Sequence, residues 1–130
     1  MAEHPNVAAA RTVLDAFAKG DAAIMVAALP DDTTWHVPGS NRFSGEFAGK
    51  AAVLGRRQQM MEAGVTTSID EIHDVVGGDD HVVALVRLSF ASGGASASCG
   101  AVWVMHVKDG MLHEFWGIND NQAEIDKVIG

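Results

Sequence analysis

The sequence predicts an α+β fold in which a curved antiparallel sheet wraps around helices, and three observations carry that prediction. Apolar residues recur at helical spacing through the first twenty positions and again between Gly49 and Gly64. From Val65 onward the period changes to two. Within that second stretch "GGDD", "GG" and "DG" separate long alternating runs, where they act as hairpin-turn signals. Long strands that curl over helices leave a conical cavity between the two layers, a natural pocket.

Each element has its own local cause. Pro5 fits the first helical position, where an N–H would be unsatisfied anyway, and Val7, Ala10, Val13, Leu14 and Phe17 share one face until Gly20 closes the helix. Asp21 caps a short second helix through Leu29, which Pro30 and the pair Asp31 and Asp32 end. Residues 33–37 are β-branched and aromatic, and Pro38, with no N–H for a ladder, marks the end of that strand. The following segment reads as a loop forming the lip of the pocket, up to Gly49. There a third helix opens, with Val53, Leu54, Arg57, Met60 and Met61 along one side, and it ends at Gly64. Strands are expected at 66–76, 81–92, 95–108 and 111–119 in an antiparallel meander, and Asn119 or Asp120 caps a last short helix, "NQAEIDKV".

A chain of 130 residues suits one domain, 1–130, with one core. Hydrophobic residues make up 48% and charged residues 20%, a globular balance, and no apolar run approaches the ~20 residues that span a bilayer. The start, "MAEHPNVAAARTVLDAF", lacks the basic n-region of a signal peptide, so a cytoplasmic location is expected. The net charge is −8 and the largest basic cluster is the pair Arg56 and Arg57, which disfavours nucleic acid and anionic membranes as partners. Cys99, the one cysteine, has no partner for an internal disulfide and reads as a small buried hydrophobe. The six histidines are scattered, with neither a His-x-x-x-His helix nor a Cys-x-x-Cys pair, so no metal and no cofactor is expected.

The segments "AFAKGDAAIMVAALPDDTTWHVPG", "GEFAG" leading into "KAAVLG", and "HVKDGMLHEFWGINDNQAEID" carry a resemblance to the SnoaL-like branch of the ketosteroid-isomerase and nuclear-transport-factor-2-like superfamily. With the meander between them it covers nearly the whole chain. The resemblance implies a cystatin-like α+β cone around three helices, a homodimer formed through the outer sheet face, and a small hydrophobic ligand. It leaves the chemistry open, because this fold hosts isomerases, cyclases, hydrolases and non-catalytic binding modules.

Ketosteroid isomerisation demands a carboxylate base, a tyrosine and a protonated acid. The matching positions here are Val37, Val13 and Trp103, and the chain has no tyrosine. The limonene-type epoxide hydrolases place an acid where this chain has Ile118, and scytalone-dehydratase-like chemistry again wants tyrosines. SnoaL-like cyclases use an acid or base from the last strand, and "EFWGIND" puts Asp120 four residues after Trp116, in agreement with that pattern. Asp120 also starts the expected last helix, and the role of its N-cap is the stronger reading.

Alternation adds further candidates. Glu114, Trp116 and Ile118 share a face of the last strand that the hairpin comparison turns toward the cavity, where desolvation would raise the Glu114 pKa toward neutrality. A twist or bulge that turns Glu114 to solvent, or a pairing with Arg56 or Arg57, is the alternative. His36, near the pocket mouth, is a general base or a solvated strand histidine. Trp35, Trp103, Trp116, Met60 and Ile118 are the expected walls, with Glu114, Asp120 or His36 handling the proton. Two readings therefore stand: a cofactor-independent cyclase-like or isomerase-like protein that binds a small hydrophobic molecule, and a non-catalytic dimeric module whose cavity is filled by its own side chains.

Overall fold

The structure, a computed structural model, describes residues 3–130. Helices α1 (Pro5–Lys19) and α2 (Ala22–Ala27) come first, followed by strands β1 (Thr34–Val37) and β2 (Gly45–Ala48) and helix α3 (Lys50–Glu62). Four long strands follow, β3 (Thr66–Gly77), β4 (His81–Ser92), β5 (Ala95–Lys108) and β6 (Met111–Asn119), and helix α4 (Gln122–Ile129) ends the chain. The six described strands form one sheet in the order β2-β1-β6-β5-β4-β3. This is the α+β cone expected from the sequence.

Two details of the sheet depart from expectation. Residues 45–48, read as loop, pair antiparallel with β1, so that Trp35 lies opposite Phe47 and His36 opposite Glu46. Strand β1 also runs parallel to β6, which makes the sheet mixed rather than wholly antiparallel. A four-residue strand with two glycine-flanked ends has too short an alternation to stand out in sequence, and its stability comes from the neighbour it pairs with.

Local signals explain the helix ends. Gly20 takes the left-handed conformation (φ 73°) and its N–H reaches the carbonyls of Ala16 and Phe17, closing α1. The Asp21 carboxylate accepts from the Ile24 N–H and starts α2. The last helix departs from expectation: its N-cap is Asn121, and Asp120 lies one residue outside.

The core sits between α1, α4 and the inner face of the sheet. From β4 the alternate residues Val82, Ala84, Val86 and Leu88 are buried, and from β5 Cys99, Ala101 and Met105, as a period of two requires. Cys99 packs as the small hydrophobe expected, and burial, with Asp120 nearby, pushes its thiol up to about 11. Thr33 is the buried polar residue of this core, and its hydroxyl donates to the Leu112 carbonyl at 2.8 Å. The Leu112 N–H in turn donates to the Ala28 carbonyl at 2.8 Å, so one rung of β6 is fixed to the end of α2.

One irregularity governs the site. Val107 pairs with Leu112, but the next pair is His106 with Glu114, so β6 carries one extra residue, His113, against β5. Such a bulge reverses which parity faces inward. Leu112 is buried on the inner side, and beyond the bulge Phe115 is the buried residue.

Candidate functional site

The cone encloses a cavity of about 120 Å³, measured as the space open to the centres of water-sized spheres. One water needs roughly 10–15 Å³ on that measure, so the space admits a small organic molecule. Leu14 and Phe17 of α1, Met25 of α2, Trp35 of β1, Leu88 and Phe90 of β4, and Trp103 and Met105 of β5 supply walls; Ile125 and Ile129 of α4 close another side. The aromatic walls contact one another. Trp35 lies 4.8 Å from Phe115 between ring centroids, and Trp103 makes edge-on contacts with Phe17 at 5.9 Å and Phe115 at 5.4 Å.

Beyond the bulge, β6 presents Phe115, Gly117 and Asn119 to this cavity. Glu114, Trp116 and Ile118, expected to face it, lie on the opposite, outer side of the sheet. The comparison of the terminal hairpin with the family pointed them inward, and the bulge at His113, the alternative weighed for Glu114, turns them outward. On the outer side His36 sits between two carboxylates, with Nε2 2.6 Å from Glu114 and Nδ1 3.3 Å from Glu46, and its ring stacks on Trp116 at 5.4 Å. Glu114 thus pairs with His36 rather than with Arg56 or Arg57. Ile118 is 60% exposed.

Asp120 is neither in the cavity nor the helix cap. Its carboxylate accepts from the Gly100 N–H at 2.9 Å while its own N–H donates to the Gly100 carbonyl at 3.0 Å, which extends the β5–β6 pairing by one rung. Of the expected walls, Trp35 and Trp103 line the cavity, and Met60 is buried in the core behind it.

Four polar side chains in the lining, Arg56, Thr67, Asn119 and Gln122, escaped the sequence reading. Arg56 reaches in from α3; its Nε donates to the Phe43 carbonyl at 2.9 Å and its guanidinium lies 5.5 Å from the centre of the Phe47 ring. Burial lowers its pKa to about 10, which leaves it cationic at neutral pH. No carboxylate pairs with it among the described residues. Its signal was its spacing, three residues after Val53, on the side of α3 assigned to Arg57 instead.

Asn119 and Gln122 form the second polar feature. Asp126, a pure acceptor, takes the Gln122 Nε2–H at 2.8 Å, which leaves Gln122 Oε1 to accept from Asn119 Nδ2 at 2.8 Å. The chain of donors fixes Asn119 with Oδ1 as its remaining acceptor, and that atom is buried without a partner. The Trp35 indole Nε1 is the other such atom. Each unpaired group costs ~1–3 kcal/mol in desolvation.

The fold and the cavity together define the class, an α+β cone built around an internal cavity. The SnoaL-like domain family matches residues 10–115, and the chain belongs to that family. Among solved structures, a protein of unknown function with a cystatin-like fold from Xanthomonas campestris superposes with a TM-score of 0.90 at 26% identity, covering 96% of this chain and 98% of that one. A nuclear-transport-factor-2-like protein from Burkholderia xenovorans gives 0.80 at 18% identity, with 96% and 95% covered. TerC, co-crystallized with polyporic acid, gives 0.81 at 18% identity, with 96% and 98% covered. A search of curated protein sequences returns no match. Among the described residues no helix is long and apolar enough to cross a membrane.

Proposed function

We propose that the chain binds a small, mainly apolar molecule in the cone cavity, and that binding rather than acid–base turnover is its basic activity. The observation that carries this reading is the lining: aromatic and aliphatic walls with Arg56 as the one ionisable side chain among the described residues there. A proton carrier of the cyclase type would need a carboxylate or histidine in that lining, whereas Glu114 and His36 pair on the outer face and Asp120 is held by Gly100. An open volume also speaks against a cavity filled by its own side chains. The outer sheet face, with Leu85 and Ile118 exposed beside Val102, is the surface proposed to join two copies as a homodimer.

Titration of tryptophan fluorescence with planar polycyclic, terpenoid and fatty compounds tests the binding reading, because Trp35 and Trp103 line the cavity. Saturable quenching by one class at micromolar concentration is expected, and Glu114→Gln leaves it unchanged. A flat response across the panel in folded protein overturns the reading, and loss of binding in Glu114→Gln moves the site to the other face.

A further inference from the structure

The composition of the cavity's polar groups is one-sided. With 17 Asp and Glu against 9 Lys and Arg, the chain has acids to spare, yet among the described residues none lines the cavity. The guanidinium of Arg56 is therefore left without a counter-charge in apolar surroundings, its Nε bound to a carbonyl and its two amino groups making no hydrogen bond to the described residues. A half-buried cation in such a place favours an anion over a neutral molecule of the same shape, because the pair is partly desolvated and the fork of N–H groups matches a carboxylate. Two more residues of the same lining carry unpaired polar atoms of opposite kinds, both covered in the free chain, so that a ligand meets them only as neighbouring side chains shift. Trp35 Nε1 is a donor and needs an acceptor; Asn119 Oδ1 is an acceptor and needs a donor.

Resting on the binding reading above, we propose that the cavity selects an aromatic acid bound as its anion and bearing a hydroxyl group. The acid's oxygens meet Arg56 and Trp35, the hydroxyl donates to Asn119, and the ring system lies among Phe17, Trp103 and Phe115. A wholly neutral terpene or a fatty chain would leave all three polar groups unpaired. A base or cation would be repelled by Arg56. The orientation of Asn119 does not depend on the ligand, since the Asp126 carboxylate sets it through Gln122.

Calorimetric titration of the full chain at pH 7 with four probes of one body tests this: 2-naphthoate, its 3-hydroxy and 6-hydroxy derivatives, and the neutral ketone 2-acetonaphthone. Loss of a charge-assisted hydrogen bond amounts to about tenfold or more in affinity, so 2-naphthoate is expected to bind at least ~10-fold more tightly than the ketone. At least one hydroxy derivative is expected to bind a few-fold more tightly again, a gain that Asn119→Leu abolishes. In Arg56→Met the acid loses its advantage while the ketone keeps its affinity. Should that variant fail to fold, having lost its bond to the Phe43 carbonyl, the comparison of acid with ketone on the unaltered chain decides. Equal affinity for acid and ketone overturns anion selection and leaves the cavity-binding reading standing. No hydroxyl gain from either derivative overturns the role of Asn119. Failure of every probe, in protein shown to be folded, overturns the binding reading itself.

Discussion

Asp126→Asn changes one oxygen to an amino group and leaves shape and volume alone, so its effect isolates a network. The Asp126 carboxylate accepts from Asn41 Nδ2 at 2.7 Å and Gln122 Nε2 at 2.8 Å on one oxygen, and from Ser40 N at 3.1 Å and Ser40 Oγ at 3.2 Å on the other. It thereby ties the segment between β1 and β2 to α4. Gly39 (φ 99°) lets that segment approach, since a Cβ there would run into the side chains of Gln122 and Asp126. Whichever way an asparagine amide turned, its NH2 would face donors on one side. With its NH2 toward Ser40, whose hydroxyl can accept as well as donate, the asparagine loses the bond from the Ser40 N–H, and the bonds to the other oxygen weaken from charged to neutral, for a total of about 2 kcal/mol and a fall in Tm of roughly 8 °C. Burial opposes ionisation of Asp126, but the hydrogen bonds from Asn41, Gln122 and Ser40 outweigh it and hold the carboxyl below its ordinary range. For a carboxylate with a depressed folded pKa, the added stability is present above the unfolded value, near 3.8, and disappears as pH falls through the folded one. Urea unfolding followed by circular dichroism, on both proteins at pH 7 and in steps below pH 4, reads this directly. The unaltered chain is expected to be the more stable at pH 7, with the gap narrowing in acid. Equal midpoints at pH 7, or a gap that stays constant in acid, would refute the reasoning.

Thr33→Val removes the hydroxyl that meets the Leu112 carbonyl while keeping the side chain's shape at a fully buried position, so thermal unfolding is expected to show a loss of about 1–3 kcal/mol. An unchanged or raised Tm would mean that the carbonyl finds another donor. If two copies join through the outer face, light scattering after size exclusion reads about twice the 13.7 kDa of one chain, and Ile118→Lys, which puts a charge beside Val102 in the exposed patch, brings it back to 13.7 kDa. A single-chain mass for the unaltered protein sinks the dimer.

The strongest sequence signals were those repeated many times within one element. Long runs rich in apolar and β-branched residues, bounded by the turn dipeptides, placed β4 and β5 at their observed ends. Strand β2 was hidden because four residues cannot establish a period and because its pairing with β1 is a tertiary matter. For the site, Trp35 and Trp103 could be placed from the face they occupy, but Arg56 required choosing between two adjacent arginines, both within reach of a helical period. Asn119 could not be found this way. Its role depends on an orientation set by Gln122 and Asp126 across the turn into α4, which no spacing encodes.

The His113 bulge decides which chemistry lies inside the cone. Without the extra residue, alternation from Leu112 would turn Glu114 and Trp116 inward and set a carboxylate across from the aromatic walls. With it, the inward positions fall to Phe115, Gly117 and Asn119, and the carboxylate meets His36 outside. Gly117 matters here because a side chain would press on Pro38 at 3.2 Å and on the Phe115 ring at 3.4 Å, at the lip of the cavity. An inward Glu114 would also have offered Arg56 an internal partner and removed its reason to prefer an anionic ligand. One inserted residue in β6 therefore separates the two sets of ionisable groups, acids and histidine on the outer face and a lone cation within.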